Sequence, residues 1–191
     1  MANIQSISYV RIAEVLTDLG MITKEKARSV LDEAATYATE PMERRHDIAS
    51  ALECFGVAVA IHADDVDVAD EHYDWLLSEA AALTGGKVTV SDYRFEKYDP
   101  DDEDCGRGRM HFTCNGEPLS FIIEQESNDY LDMGAAQQAI EELSPHDDSR
   151  DFRCVEREAS ELGDDIMVLA TSEQRAGLRQ HLGITFEPPL G

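Results

Sequence analysis

Between Lys97 and Arg109 the chain reads KYDPDDEDCGRGR, which sets the carboxylates of Asp99, Asp101, Asp102, Glu103 and Asp104 beside Cys105, Gly106 and Gly108. Side chains of this kind and density can coordinate a hard cation, present a docking surface to a basic partner, or solvate a turn between strands. The calcium reading has a definite test, because an EF-hand loop needs oxygen ligands at positions 1, 3 and 5, glycine at 6 and glutamate at 12. Counted from Asp99, the sixth and twelfth residues are Asp104 and Met110; counted from Asp101, Gly106 fits but Cys105 and Phe112 occupy the fifth and twelfth places. Cys105, His111 and Cys114 have a zinc-like spacing. On a strand, however, His111 and Cys114 point to opposite faces, and a structural zinc needs a fourth ligand. No metal or cofactor is expected. The stretch reads as an acidic connection between two strands, serving either to keep an edge soluble or to dock a partner.

Two more acidic clusters stand out. HADDVDVADEHYD carries Asp64, Asp65, Asp67, Asp70, Glu71 and Asp74 without a lysine or arginine. EELSPHDDSRDFRCVEREASELGDD combines many carboxylates with Arg150, Arg153 and Arg157. Each cluster alone is accounted for by helix caps or a solvated face. Catalytic motifs are missing: the chain has no GxSxG, no phosphate-cradling GxxxxGK[ST], no GxGxxG after a strand and no HExxH. An enzyme is not expected, although a carboxylate pair assembled in space leaves no sequence signature. His72 with Asp74 reads as a solvated helix pair.

The acidity extends over the whole chain. Its 191 residues hold 40 acidic against 16 basic side chains, a net charge of -24. Lysine is confined to Lys24, Lys26, Lys87 and Lys97. A field of one sign repels nucleic acid and anionic membranes and steers basic proteins inward. Adaptation to high salt leaves the same composition, so a generic regulatory or structural domain stays open as the alternative. With 42% hydrophobic residues the chain can bury a core and is not a disordered polyanion. The N-terminal stretch MANIQSISYVRIAEVL lacks a basic region followed by an unbroken apolar run, and no segment approaches the ~18 apolar residues of a membrane span. A cytoplasmic location is expected, with Cys54, Cys105, Cys114 and Cys154 reduced and mostly buried.

The elements that must position these groups follow from periodicity. Ile12, Val15, Leu16 and Leu19 form a helical stripe closed by Gly20. Ala27, Val30, Leu31, Ala34 and Ala38 form a second. Pro41 is expected in the first turn of a third helix, with the stripe Ile48, Ala51, Leu52 and Phe55. VAVAI (57–61) fits either a continuation of that helix past Gly56 or a short buried strand. A fourth helix is expected to start among Asp64, Asp65 and Asp67 and to run to Gly85-Gly86. From Lys87 the period becomes two. KVTVSDYRFEKY keeps Val88, Val90, Tyr93 and Phe95 on one face only if one residue bulges near Ser91-Asp92. RMHFTC and EPLSFIIEQ flank Asn115-Gly116, a strong hairpin signal. DMGAAQQAIEEL reads as a helix, DFRCVERE and DIMVLA as strands. Thr171 with Gln174 is a capping box opening a final helix closed by Gly183. The expected fold is α+β: N-terminal helices over residues 1–86, then a βββαββα unit over 87–191, one compact whole with a mostly antiparallel sheet and helices packed on it.

In charge, in element order and in the closing wording DIMVLATSEQRAGLRQHLG, the chain resembles the small acidic immunity proteins of bacterial polymorphic and contact-dependent toxin systems. The resemblance implies a non-catalytic cytoplasmic protein that neutralises a basic toxin domain, often a nuclease, by electrostatically steered binding. It carries over no residue. The expected docking surface is Asp99, Asp101, Asp102, Glu103 and Asp104, with Asp64, Asp65, Asp67, Asp70 and Glu71 second. Tyr93 and Tyr98 are candidate aromatic anchors, ordinary sheet packing being their alternative.

Overall fold

The computed structural model describes residues 7–42, 44–62, 69–99, 101, 106–124, 131–157 and 164–190. Six helices and six strands follow one another: α1 (Tyr9–Asp18), α2 (Lys24–Glu33), α3 (Arg45–Cys54), β1 (Ala58–Ile61), α4 (Ala69–Leu83), β2 (Val90–Lys97), β3 (Arg107–Cys114), β4 (Glu117–Glu124), α5 (Met133–Glu141), β5 (Asp151–Cys154), β6 (Asp165–Ala170) and α6 (Ser172–Leu182). The fold is α+β, with the βββαββα order of the second half as expected. The strands form two antiparallel sheets, in the orders β1-β6-β5 and β2-β3-β4, where the sequence suggested one.

The layers explain both sheets. Ile166, Val168 and Ala170 on one face of β6 pack with apolar residues of α1, α2, α3 and α6, including Leu16, Val30, Leu52 and Leu178. Met167 and Leu169 on the opposite face meet Tyr73, Leu76 and Leu77 of α4 and Ala136, Ala139 and Ile140 of α5. The second sheet closes that core from the far side with Met110, Phe112 and Ile123. Helices α4 and α5 are thus covered by a sheet on each side. Every residue of β6 is buried, as its unbroken apolar run requires of a central strand.

Local backbone signals resolve the ambiguous segments. Gly56 takes φ 71°, a left-handed conformation that ends α3 and releases VAVAI as strand β1, buried on both faces. β1 pairs with β6, Ala58 opposite Val168 and Ile61 opposite Asp165, so residues about a hundred positions apart share one sheet. Pro41 lies outside the third helix. Its neighbour Met42 instead bridges Ile7, donating its N–H to the Ile7 carbonyl at 2.7 Å, and α3 begins only at Arg45. The bulge falls where the alternation slips: pairing with β3 shifts between Ser91 and Arg94, and Asp92 adopts φ 55°. Asn115 and Gly116, at φ 51° and 86°, make the two-residue β3–β4 turn. Gly108 leaves space for the Phe95 ring on β2, which a Cβ there would approach to 2.9 Å. In α6 both arms of the Thr171–Gln174 capping box are made. Among the described residues no helix is long and apolar enough to cross a membrane.

Candidate functional site

Three places among the described residues bear on chemistry. The first is the end of the β2–β3 ladder. The backbone N–H of Tyr98 donates to the Arg107 carbonyl at 3.1 Å, the last rung before the acidic connection. Beyond it Asp99 and Asp101 are exposed, and the Asp101 N–H donates to Asp99 Oδ1 at 3.1 Å. The Tyr98 ring stands 55% exposed beside these carboxylates. Tyr93 lies on the inner side of the bulge, half-buried against the core beneath the sheet. Of the two tyrosines, then, Tyr98 is the one with its ring in solvent. Asp102, Glu103 and Asp104 lie outside the described residues.

The second place is α4. Its buried stripe is Tyr73, Leu76, Leu77, Ala80 and Ala81, which leaves Glu71, Asp74, Trp75, Ser78 and Glu79 on the solvent side. Asp70 belongs to the helix backbone, while Asp64, Asp65 and Asp67 lie outside the described residues. Trp75, the chain's one tryptophan, is 44% exposed. Its indole leans on the His72 ring, with centroids 5.1 Å apart, and His72 in turn meets the His62 ring edge-on at 6.1 Å. His72 is therefore no solvated partner of Asp74. Burial, with His62 as a lesser cause, lowers its pKa, and the uncharged ring is the form that packs here. His62 turns its Nδ1 to Asp164, 2.9 Å away.

The third place is a buried polar cluster where β6 begins. Asp165 is 1% exposed. Gln137, buried on α5, donates its amide to Asp165 Oδ2 and also lies near the Cys154 sulfur. Arg157 Nε is 2.8 Å from Asp165 Oδ1 but out of line for a hydrogen bond, so that contact is Coulombic. Burial raises the Asp165 pKa, against the opposing pull of Arg157 and Gln137. The same burial raises the Cys154 thiol, an inert protonated group. Of the described cysteines, Cys154 is the buried one; Cys114 is half-buried and Cys54 exposed at the end of α3.

These directions make a testable pH dependence. The folded chain holds the Asp165 proton more tightly than the unfolded chain does. The stability it contributes is therefore full below the ordinary carboxylate pKa, about 4, and is lost as pH rises through the folded value. Asparagine at 165 keeps the acceptor for Gln137 and cannot ionise. The unfolding free energy of wild type minus that of Asp165→Asn should decline as pH rises above about 4 in urea titrations; a difference that does not change would show that burial does not raise this carboxyl. Asp165→Ala strands the Gln137 amide and should cost about 1–3 kcal/mol.

Two larger surface depressions lie among the described residues. One of about 560 Å³ lies between α1 and α2, where Glu14, Asp18 and Asp32 share the lining with Lys24 and Arg28. Another, of about 420 Å³, is lined by Tyr9, Tyr37, Met42, Arg44 and Asp47. Among the described residues no group of three or more histidine, cysteine or acidic side chains is arranged to hold a metal. No protein-family model, curated protein or solved structure matches the chain.

Proposed function

We propose that the protein is a non-catalytic acidic binding protein whose partner is a basic protein domain, in the manner of an immunity protein neutralising a toxin. The observation that carries this reading is Tyr98: a large, exposed aromatic side chain at the end of the β2–β3 ladder, where the chain runs on into the exposed Asp99 and Asp101. Aromatic anchors within a charged rim are the common composition of tight interfaces. The net charge of -24 supplies the long-range steering. Binding proceeds by electrostatic encounter, followed by seating of the anchor. Direct contact with nucleic acid is disfavoured by the same field, while a nuclease-type partner is compatible with it.

The test is capture of the partner by the full chain from the producing cell, followed by stopped-flow association. The partner should be basic. Raising ionic strength from about 0.01 to 0.15 M shortens the screening length from about 30 to 8 Å and should slow association about tenfold or more. Asp99→Asn with Asp101→Asn should lower the association rate and flatten its salt slope, while Tyr98→Ala should act on dissociation. Association insensitive to salt would refute the reading. A chain that unfolds in dilute buffer and refolds in molar salt would assign the acidity to salt adaptation instead.

A further inference from the structure

Between Arg45 and Lys87 the sequence contains no lysine or arginine, and Trp75 lies near the middle of α4 within this stretch. Tryptophan buries more apolar area than any other side chain and is highly buried on average. Here it lies outside the buried stripe of α4, at 44% exposure, although the stripe one residue further on has room for Leu76 and Leu77. The His72 ring packs against the indole at a tilt of 45°, which limits its freedom before anything binds. Glu71 precedes Trp75 by four residues and Glu79 follows it by four, so the row on the exposed face reads carboxylate, indole, carboxylate. Asp74 flanks it.

We infer that this face of α4 is a docking surface for an arginine side chain of a basic protein partner, the guanidinium lying on the exposed part of the Trp75 indole with its N–H groups directed to Asp74 and Glu79. The inference rests on the proposed function and adds to it a second contact, a named anchor and a preference of chemistry. Charge complementarity selects a cationic occupant. The indole selects arginine over lysine, because a planar, weakly hydrated guanidinium stacks on an aromatic face while an ammonium holds its water. His72 is neutral by the direction of its pKa and does not compete for the indole as a cation.

The single tryptophan makes the test direct. The full chain is titrated at low salt with a nona-arginine peptide and, separately, with a nona-lysine peptide, following Trp75 emission and heat. The expected result is saturable binding that perturbs the emission, with the arginine peptide bound more tightly. Trp75→Ala should weaken nona-arginine binding about tenfold and bring the two peptides close to equal affinity; Trp75→Phe should retain part of the preference. Because Trp75 lies outside the core stripe, both variants should keep the wild-type circular dichroism and thermal midpoint. If Trp75→Ala binds nona-arginine as wild type does while Asp99→Asn with Asp101→Asn weakens it, the α4 surface is refuted and the broader reading stands. If neither peptide binds the wild type by calorimetry, both fail.

Discussion

Replacing Tyr73 with alanine should destabilise the protein by about 3–5 kcal/mol, and replacing it with phenylalanine by about 1–3 kcal/mol. The two substitutions separate two roles of one side chain. Tyr73 is 1% exposed and its ring stacks nearly parallel to Phe95, the interplanar angle being 6° and the centroids 6.4 Å apart. It thus fills the layer between α4 and the β2-β3-β4 sheet, and truncation leaves a cavity in a place where two rigid elements cannot collapse. Its hydroxyl oxygen accepts the Asp132 N–H at 2.8 Å. Asp132 in turn caps α5 by accepting from the Ala135 N–H at 3.0 Å and receives the Glu124 N–H at 2.9 Å, where β4 ends. Phenylalanine keeps the stack and removes the acceptor, leaving the partly buried Asp132 N–H without it. Equilibrium urea unfolding of both variants measures the difference; a phenylalanine variant as stable as wild type would mean that the Asp132 contact contributes nothing, and equal losses that the ring packing contributes nothing.

The parts of this fold that could be read in advance are those set by local backbone chemistry. Asn115-Gly116 needs two positive φ angles, Thr171 and Gln174 satisfy each other's backbone donors, and the alternation break at Ser91-Asp92 leaves room for just one inserted residue. Each is decided within a few neighbours. The division into two sheets was not legible, because period-two patterning says which residues are buried and not which strand lies alongside. β1 and β6 are separated by about a hundred residues, and nothing in AVAI names DIMVLA as its partner. Pro41 shows the converse failure. A residue compatible with a first helical turn does not begin a helix when its neighbour is held by Ile7 from across the chain.

The candidate surfaces divide in the same way. Acidic density around Asp99 and Glu71 is a property of composition and was visible at once. Trp75 was not singled out, though a signal existed: a helical wheel through Tyr73, Leu76, Leu77 and Ala80 leaves it on the polar side between Glu71 and Glu79. Asp165 could not be recognised, because it reads as one more acidic residue flanking a strand. Only the approach of Gln137 from α5 and of Arg157 after β5 makes it a buried carboxyl. Exposure of an aromatic residue and burial of an acid are both tertiary facts. For a protein with a net charge of -24, such departures discriminate between surfaces better than the charge itself does.

Val168 tests whether the two cores are one. It is fully buried at the centre of β6, facing α3 and α6, while its neighbours Met167 and Leu169 face α4 and α5. Aspartate there places a carboxylate among the apolar residues of α3 and α6, opposite an Arg153 that is already paired with Asp151, and the several kcal/mol this costs is comparable to the 5–15 kcal/mol that holds an ordinary domain together. Val168→Asp should therefore show no cooperative unfolding transition at 25 °C. Val168→Ala, which only removes two methyl groups, should fold and lose about 2 kcal/mol. Trp75 fluorescence reports on the α4 side of the sheet and far-ultraviolet circular dichroism on the whole chain. In wild type the two should trace one transition, and in Val168→Ala both midpoints should fall together, because the strand that loses contacts on one face is the wall of the core on the other. A circular dichroism midpoint that falls while the Trp75 midpoint stays would mean that the helical N-terminal layer unfolds on its own. The shared strand β6 would then join two independent units rather than couple them.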